Sequence, residues 1–224
     1  MSNTEQNKQD ELQQVEQVLS RSEAFIEKYQ KQLLLTVGVA VMLVLAVLAF
    51  KNFYLEPQER EAENEMAKAQ AVFAVDSFKV ALNGKGDIMG FEEIVSAYGM
   101  TPSGNLAAAY AGICYYKLGQ YENAVKYLSK YDGDDTYFTT SVIGLIGDAY
   151  VEMGKKEDAV DYFVKAADKK NDVLSSVYLK KAGITYEALT KPEKALELYT
   201  KIKESYPRSA EAADIDKYIA RVEK

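Results

Sequence analysis

Gly112-Ile-Cys-Tyr115, Gly147-Asp-Ala-Tyr150 and Gly183-Ile-Thr-Tyr186 repeat one Gly-x-x-Tyr step at spacings of 35 and then 36 residues. An alanine follows each glycine by 12 residues (Ala124, Ala159, Ala195), and four residues later comes a large apolar side chain (Leu128, Phe163, Tyr199). Self-similarity at such a period marks stacked supersecondary units that bury their apolar faces against one another. Glycine and alanine suit the crossing point of two helices, where a larger side chain would push the backbones apart. The tyrosine and the bulky position fill the gap to the next unit. Gly119 and Gly154 fall between the two helical segments, where a left-handed residue closes the first.

This pattern resembles the tetratricopeptide repeat, with its Leu-Gly, Tyr, Ala-x3-Phe and Pro signature over about 34 residues. Thr190 and Pro192 depart from it, replacing the interhelix glycine and aromatic in the third unit, and the chain has no tryptophan. The resemblance implies an all-α solenoid of about three clear repeats over 105–224. One period back, residues 71–104 read as a degenerate first repeat within a 56–104 segment that opens as a stalk helix. That stalk helix is expected from Gln58 to about Leu82, with Ala62, Met66, Ala69, Val72 and Phe73 on its apolar side and Asn83-Gly-Lys-Gly86 as its stop. Phe91–Tyr98 reads as a shorter helix. Residues 208–222, with Ala210, Ala213, Ile215, Ile219 and Val222 on one side, look like the terminal capping helix that such arrays require.

In that family the first helix of each hairpin lines a concave protein-binding surface. Carried onto this chain, the register gives candidate groove residues Leu106, Ile113, Tyr116, Lys117, Asp148, Val151, Glu152, Val177, Lys180, Ile184 and Glu187. The Lys/Asn clamp that some members use for a C-terminal carboxylate is missing, since Ala109, Gly144 and Lys180, then Ile113, Asp148 and Ile184, occupy its positions. A mixed apolar and acidic groove suits an extended peptide or a partner helix.

Ahead of the repeats, Leu33–Phe50 carries no charge between Lys31 and Lys51. At 1.5 Å per residue a helix of this length spans roughly 28 Å, close to the hydrocarbon core of a bilayer. A helix apolar on all sides belongs in lipid or deep inside a large protein. We therefore expect a transmembrane helix and its interface over 33–55, with Phe53 and Tyr54 at headgroup level. Residues 1–32 form a polar tail, Met1–Asp10, followed by an amphipathic lead-in helix with Leu12, Val15, Leu19, Ile26 and Tyr29 on its stripe. That segment holds six acids and four bases, unlike the short basic start of a cleaved signal peptide. The bases flanking the span are balanced, Arg21, Lys28 and Lys31 against Lys51, Arg60 and Lys68. The close pair Lys28 and Lys31 leans toward a cytoplasmic N-terminus.

The 224 residues carry a net charge of −7, 48% apolar residues and 17 tyrosines, but no histidine and one cysteine, Cys114. The acidic balance argues against nucleic acid. Without histidine, His-based triads and common zinc sites are excluded. Cys114 reads as a small buried apolar residue, and Asp132-Gly-Asp-Asp135 as a solvated loop with helix-capping acids rather than a calcium loop. We expect neither cofactor nor metal, and no enzyme activity. The layout of short N-terminal segment, single span and small acidic array is similar to the bacterial single-span ancillary subunits of the Sec translocon. The resemblance implies an inner-membrane protein with periplasmic repeats. Its partners would be translocon subunits, periplasmic chaperones and exported chains. The alternative is a cytoplasm-facing scaffold for an envelope or cell-division complex.

Overall fold

The computed structural model describes residues 28–32 and 34–224. The expected polar tail and lead-in helix, up to residue 27, lie outside the described residues. The chain divides into two compact units, Met1–Tyr54 and Leu55–Lys224. In the first unit, residues 34–50 are helical (α1). Thr36, its one polar side chain, donates its hydroxyl to the Gln32 carbonyl at 2.8 Å, so no side-chain donor faces outward unsatisfied. Phe50 and Tyr54 stack at 5.1 Å, and the backbone at Lys51–Leu55 is a π-turn. Among the described residues one helix is long and apolar enough to cross a membrane, Lys28–Phe73. Its apolar window has a mean hydropathy of 2.9 and none of it is buried.

The second unit is all helical: α2 Glu56–Phe73, α3 Phe78–Asn83, α4 Phe91–Tyr98, α5 Pro102–Lys117, α6 Tyr121–Leu128, α7 Thr136–Glu152, α8 Lys156–Ala167, α9 Leu174–Ala188, α10 Pro192–Ser205 and α11 Ile215–Val222. Among the described residues there is no strand, only an isolated bridge between Lys85 and Ile88. Helix starts are set by local chemistry. Thr101 caps α5 by accepting from the Gly104 amide at 3.0 Å. Asp135 caps α7 through the Phe138 amide, and Asn171 accepts from the Val173 and Leu174 amides ahead of α9. These short polar acceptors satisfy amides that have no partner inside the helix.

Three hairpins, α5/α6, α7/α8 and α9/α10, stack in sequence. The glycines sit where the helices meet. A Cβ on Gly112 would fall 2.5 Å from Leu128, on Gly147 2.6 Å from Phe163, and on Gly183 2.3 Å from Tyr199. Each pair joins helix A to the bulky residue of helix B in the same hairpin, and Ala124, Ala159 and Ala195 are fully buried alongside. Tyrosines one helix apart reinforce two of the hairpins: Tyr115 lies 5.2 Å from Tyr127, and Tyr150 lies 5.4 Å from Tyr162. Gly119 and Gly154 close α5 and α7 at φ +72°. Cys114 is fully buried and burial pushes its thiol up to about 12.

Two parts differ from the sequence reading. The helix expected over 58–82 ends at Phe73 and resumes at Phe78, because Asp76 turns into the left-handed region at φ +57°. Aspartate tolerates that region better than most residues, and edge-on packing of Phe73 and Phe78 at 5.4 Å holds the corner. α2 is also docked along its length. Ala62, Met66 and Ala69 are buried, and the Glu59 carboxylate accepts from the Ser103 amide and hydroxyl at the start of α5. At the other end, the single helix expected over 208–222 is a 3-10 turn, Glu211–Asp214, followed by α11. The change of pitch takes Ala210 and Ala213 out to solvent, while Ile215 is buried and Ile219 and Val222 pack on the core.

Where the first two hairpins have glycine, the third turns at Thr190 with φ +57°. A β-branched residue in this region carries a penalty of about 1–2 kcal/mol. Thr190→Gly should therefore raise the denaturant midpoint, by about 1 kcal/mol of stability, whereas Gly119→Ala and Gly154→Ala should lower it. Urea unfolding followed by circular dichroism reads both.

Candidate functional site

Helices α5, α7 and α9 carry the predicted face. Leu106 and Ile113 are half-buried and belong to the core around α5, so they form its floor. Tyr116 sets its ring edge-on to Tyr121 at 5.5 Å. Burial raises its phenol above the usual range, and the negative charges of Asp148 and Glu152 add to this. The structure thus brings Tyr116 of one hairpin beside Asp148 and Glu152 of the next. Lys117 and Glu152 are exposed and, among the described residues, make no ion pair. Val151 and Ile184 are the two large apolar residues of the set left open to solvent, at 42% and 44% exposure.

The other charges are occupied within the chain. Both carboxylate oxygens of Asp148 accept from the Lys181 ammonium, each at 2.8 Å. Lys180 bonds Asp214 at 2.6 Å and lies 4.4 Å over the Tyr218 ring. Glu187 accepts from Arg221 at 2.6 and 2.8 Å and from the Tyr199 hydroxyl at 2.5 Å. Val177, half-buried, lines a groove of about 490 Å³ with Val173, Tyr206 and Arg208 at the start of α9. Tyr178 fills the space over Gly144, where a Cβ would fall 2.0 Å from its ring. This covers one of the positions that a carboxylate clamp would use.

Reading the sequence alone missed Lys181, Asp214, Tyr218 and Arg221. A signal was present. Asp148 and Lys181 are 33 residues apart, Lys180 and Asp214 34, and Glu187 and Arg221 34, so opposite charges recur one repeat apart. Ser176 and Glu211, bonded at 2.7 Å, are separated by 35. The 3-10 turn and α11 stand where the first helix of another hairpin would; Glu211 and Asp214 tie the turn to α9 and Arg221 ties α11 to it, as Asp148 ties α7 to α9.

Burial holds the phenol of Tyr178 on α9 up at about 12, so it stays protonated at neutral pH. Among the described residues no group of His, Cys, Asp and Glu is placed to hold a metal ion.

Glu187 tests the lock on α11. Burial alone would raise its pKa, but the bonds from Arg221 and Tyr199 outweigh this and hold the carboxyl below its usual value. Lys180 likewise lowers Asp214. Lowered carboxyls contribute stability that is complete above their unfolded pKa and is lost as pH falls through the folded value. Glu187→Gln should therefore lower the melting temperature at about pH 7, with the gap to wild type closing toward about pH 3. Thermal scans across that range measure it.

The tetratricopeptide repeat family models match residues 110–131, 140–168 and 179–209. The chain carries tetratricopeptide repeats, a fold that typically serves as a non-enzymatic interaction module. No curated protein matches the sequence. Among solved structures, the MamA protein is similar at 17% identity and a TM-score of 0.53, over 72% of this chain and 89% of that one. A Podosopora anserina protein described as a kinesin light chain with nearly identical TPR-like repeats, in its Q17M form, gives 14% identity and a TM-score of 0.53. It covers 74% of this chain and 85% of that one. At such identities the likeness concerns the fold alone.

Proposed function

We propose that this chain is a single-span membrane scaffold whose repeats hold polypeptide segments of partner proteins, as an ancillary subunit of a Sec-type translocon. The observation that carries the membrane half is α1: an apolar window of mean hydropathy 2.9 with none of its surface buried. A helix of this kind gains its solvation from lipid. Supporting the binding half, Val151 and Ile184 remain open to solvent on the helices that follow Tyr116, and Glu152, next to Val151, has no ion pair among the described residues. Apolar contact with a carboxylate at its edge suits an extended segment that alternates apolar and basic side chains. The translocon assignment rests on the layout of span and acidic repeat array. In this reading the N-terminus is cytoplasmic and the repeats stand in the periplasm of a bacterial inner membrane, within reach of chaperones and emerging chains.

The experiment combines topology with capture. With Cys114→Ala, a reporter cysteine at Lys224 is labelled by a membrane-impermeant reagent in intact spheroplasts, while photocrosslinkers at Val151 and Ile184 trap neighbours. The reading expects labelling without lysis and crosslinks to translocon subunits or exported chains. Labelling only after lysis would instead favour the cytoplasm-facing scaffold. A full-length product soluble without detergent would remove the membrane anchor altogether.

A further inference from the structure

The hairpins are not equal. α6 has 8 residues where α8 has 12 and α10 has 14, so the first hairpin lacks a full helical turn at the end of its second helix. Ala166 and Ala167, buried in the last turn of α8, correspond one repeat earlier to Tyr131 and Asp132, which already belong to the loop. The missing turn uncovers a cavity of about 280 Å³ between α6, α7 and α8. Its floor carries the buried side chains of Leu128, Val142, Ile143 and Ile146, and its walls carry the polar groups of Ser129, Tyr131, Thr139 and Tyr162. At the rim stand Lys165, in the last turn of α8, and Lys169, just past its end. Among the described residues neither ammonium has a carboxylate partner; Lys165 lies 5.7 Å over the Tyr162 ring. The one acid on the rim is Asp132, whose backbone is fastened by Asn105, so the rim keeps a net positive charge. A lysine in a last helical turn also suits the helix dipole, but that role does not account for the cavity beside it.

We propose that this cavity is a binding site for a small carboxylate with an apolar body, the body seated on Val142, Ile143 and Ile146 and the carboxylate held between Lys165 and Lys169. The volume falls just under the range of about 300–1,000 Å³ typical of drug-sized ligands, so the occupant is smaller than those. Charge-assisted bonds from two ammonium groups are the stronger kind of hydrogen bond, and the Val142, Ile143 and Ile146 side chains give the apolar body a surface to rest on. The site is separate from the face of α5, α7 and α9, and does not depend on what that face binds.

The probe is 3-phenylpropionate, compared with 3-phenylpropylamine and 3-phenylpropanol, added to the full chain in nanodiscs of zwitterionic lipid. Isoleucine methyl NMR follows Ile143 and Ile146. Saturable shifts of both methyls with the acid are expected, weaker with the alcohol and absent with the amine. Lys165→Gln/Lys169→Gln should weaken binding of the acid by about tenfold or more, with an unchanged circular dichroism spectrum. Equal binding of all three probes, unaltered affinity in the double variant, or no shift at either methyl overturns the proposal. Both lysines are on the rim, so their replacement leaves the fold intact. A Lys165→Arg/Lys169→Arg variant, which retains both charges, should bind the acid like wild type.

Discussion

Everything in the repeat unit follows from the closeness of two helices at Gly112, Gly147 and Gly183. With no Cβ in the way, Leu128, Phe163 and Tyr199 press directly on the backbone of the preceding helix, at distances that any side chain would forbid. That contact fixes the angle within a hairpin. The angle in turn determines which residues of α5, α7 and α9 face outward together and which meet the next hairpin. Dense interiors transmit such constraints because there are few voids to absorb them.

On this frame the polar contacts act as ties between hairpins. Bonds spanning 33, 34 and 35 residues join equivalent helix faces of neighbouring units. They also consume charge that the sequence pattern offers to a partner: Asp148, Lys180 and Glu187 are all engaged inside the chain. What stays available is narrower, namely Val151 and Ile184 with Tyr116, Lys117 and Glu152. Charged pairs at partly exposed sites add little stability individually. Their greater effect is on register, since they hold α11 and its preceding turn where another repeat would begin and close the apolar end of the stack.

The hairpins were legible because a glycine–tyrosine–alanine spacing is dictated by backbone distance, and few residues satisfy it. The left-handed turns at Gly119 and Gly154 were readable for the same reason. Asp76 was not, because aspartate takes helical and left-handed conformations alike and no glycine or proline flags the break. The change of pitch before α11 left no mark either, as Ala210 and Ala213 suit a buried and an exposed position equally. The ties between repeats were legible in principle, but only with each charge compared against the residue one period away. The cavity beneath α6 arises from an absence, a helix one turn short. An apolar periodicity over the remaining 8 residues gives no hint of that.

The central claim is that the size of one side chain sets the closeness of the next helix, and a double-mutant cycle between Gly147 and Phe163 tests it most directly. Gly147→Ala alone should destabilise the chain by about 1–3 kcal/mol, the cost of overpacking a filled core. Phe163→Leu alone should also destabilise it. If the account is right, combining the two recovers part of the loss, because the smaller side chain makes room for the added methyl, giving a coupling of at least about 0.5 kcal/mol. Strictly additive losses would mean that the two positions do not press on each other, and would contradict it.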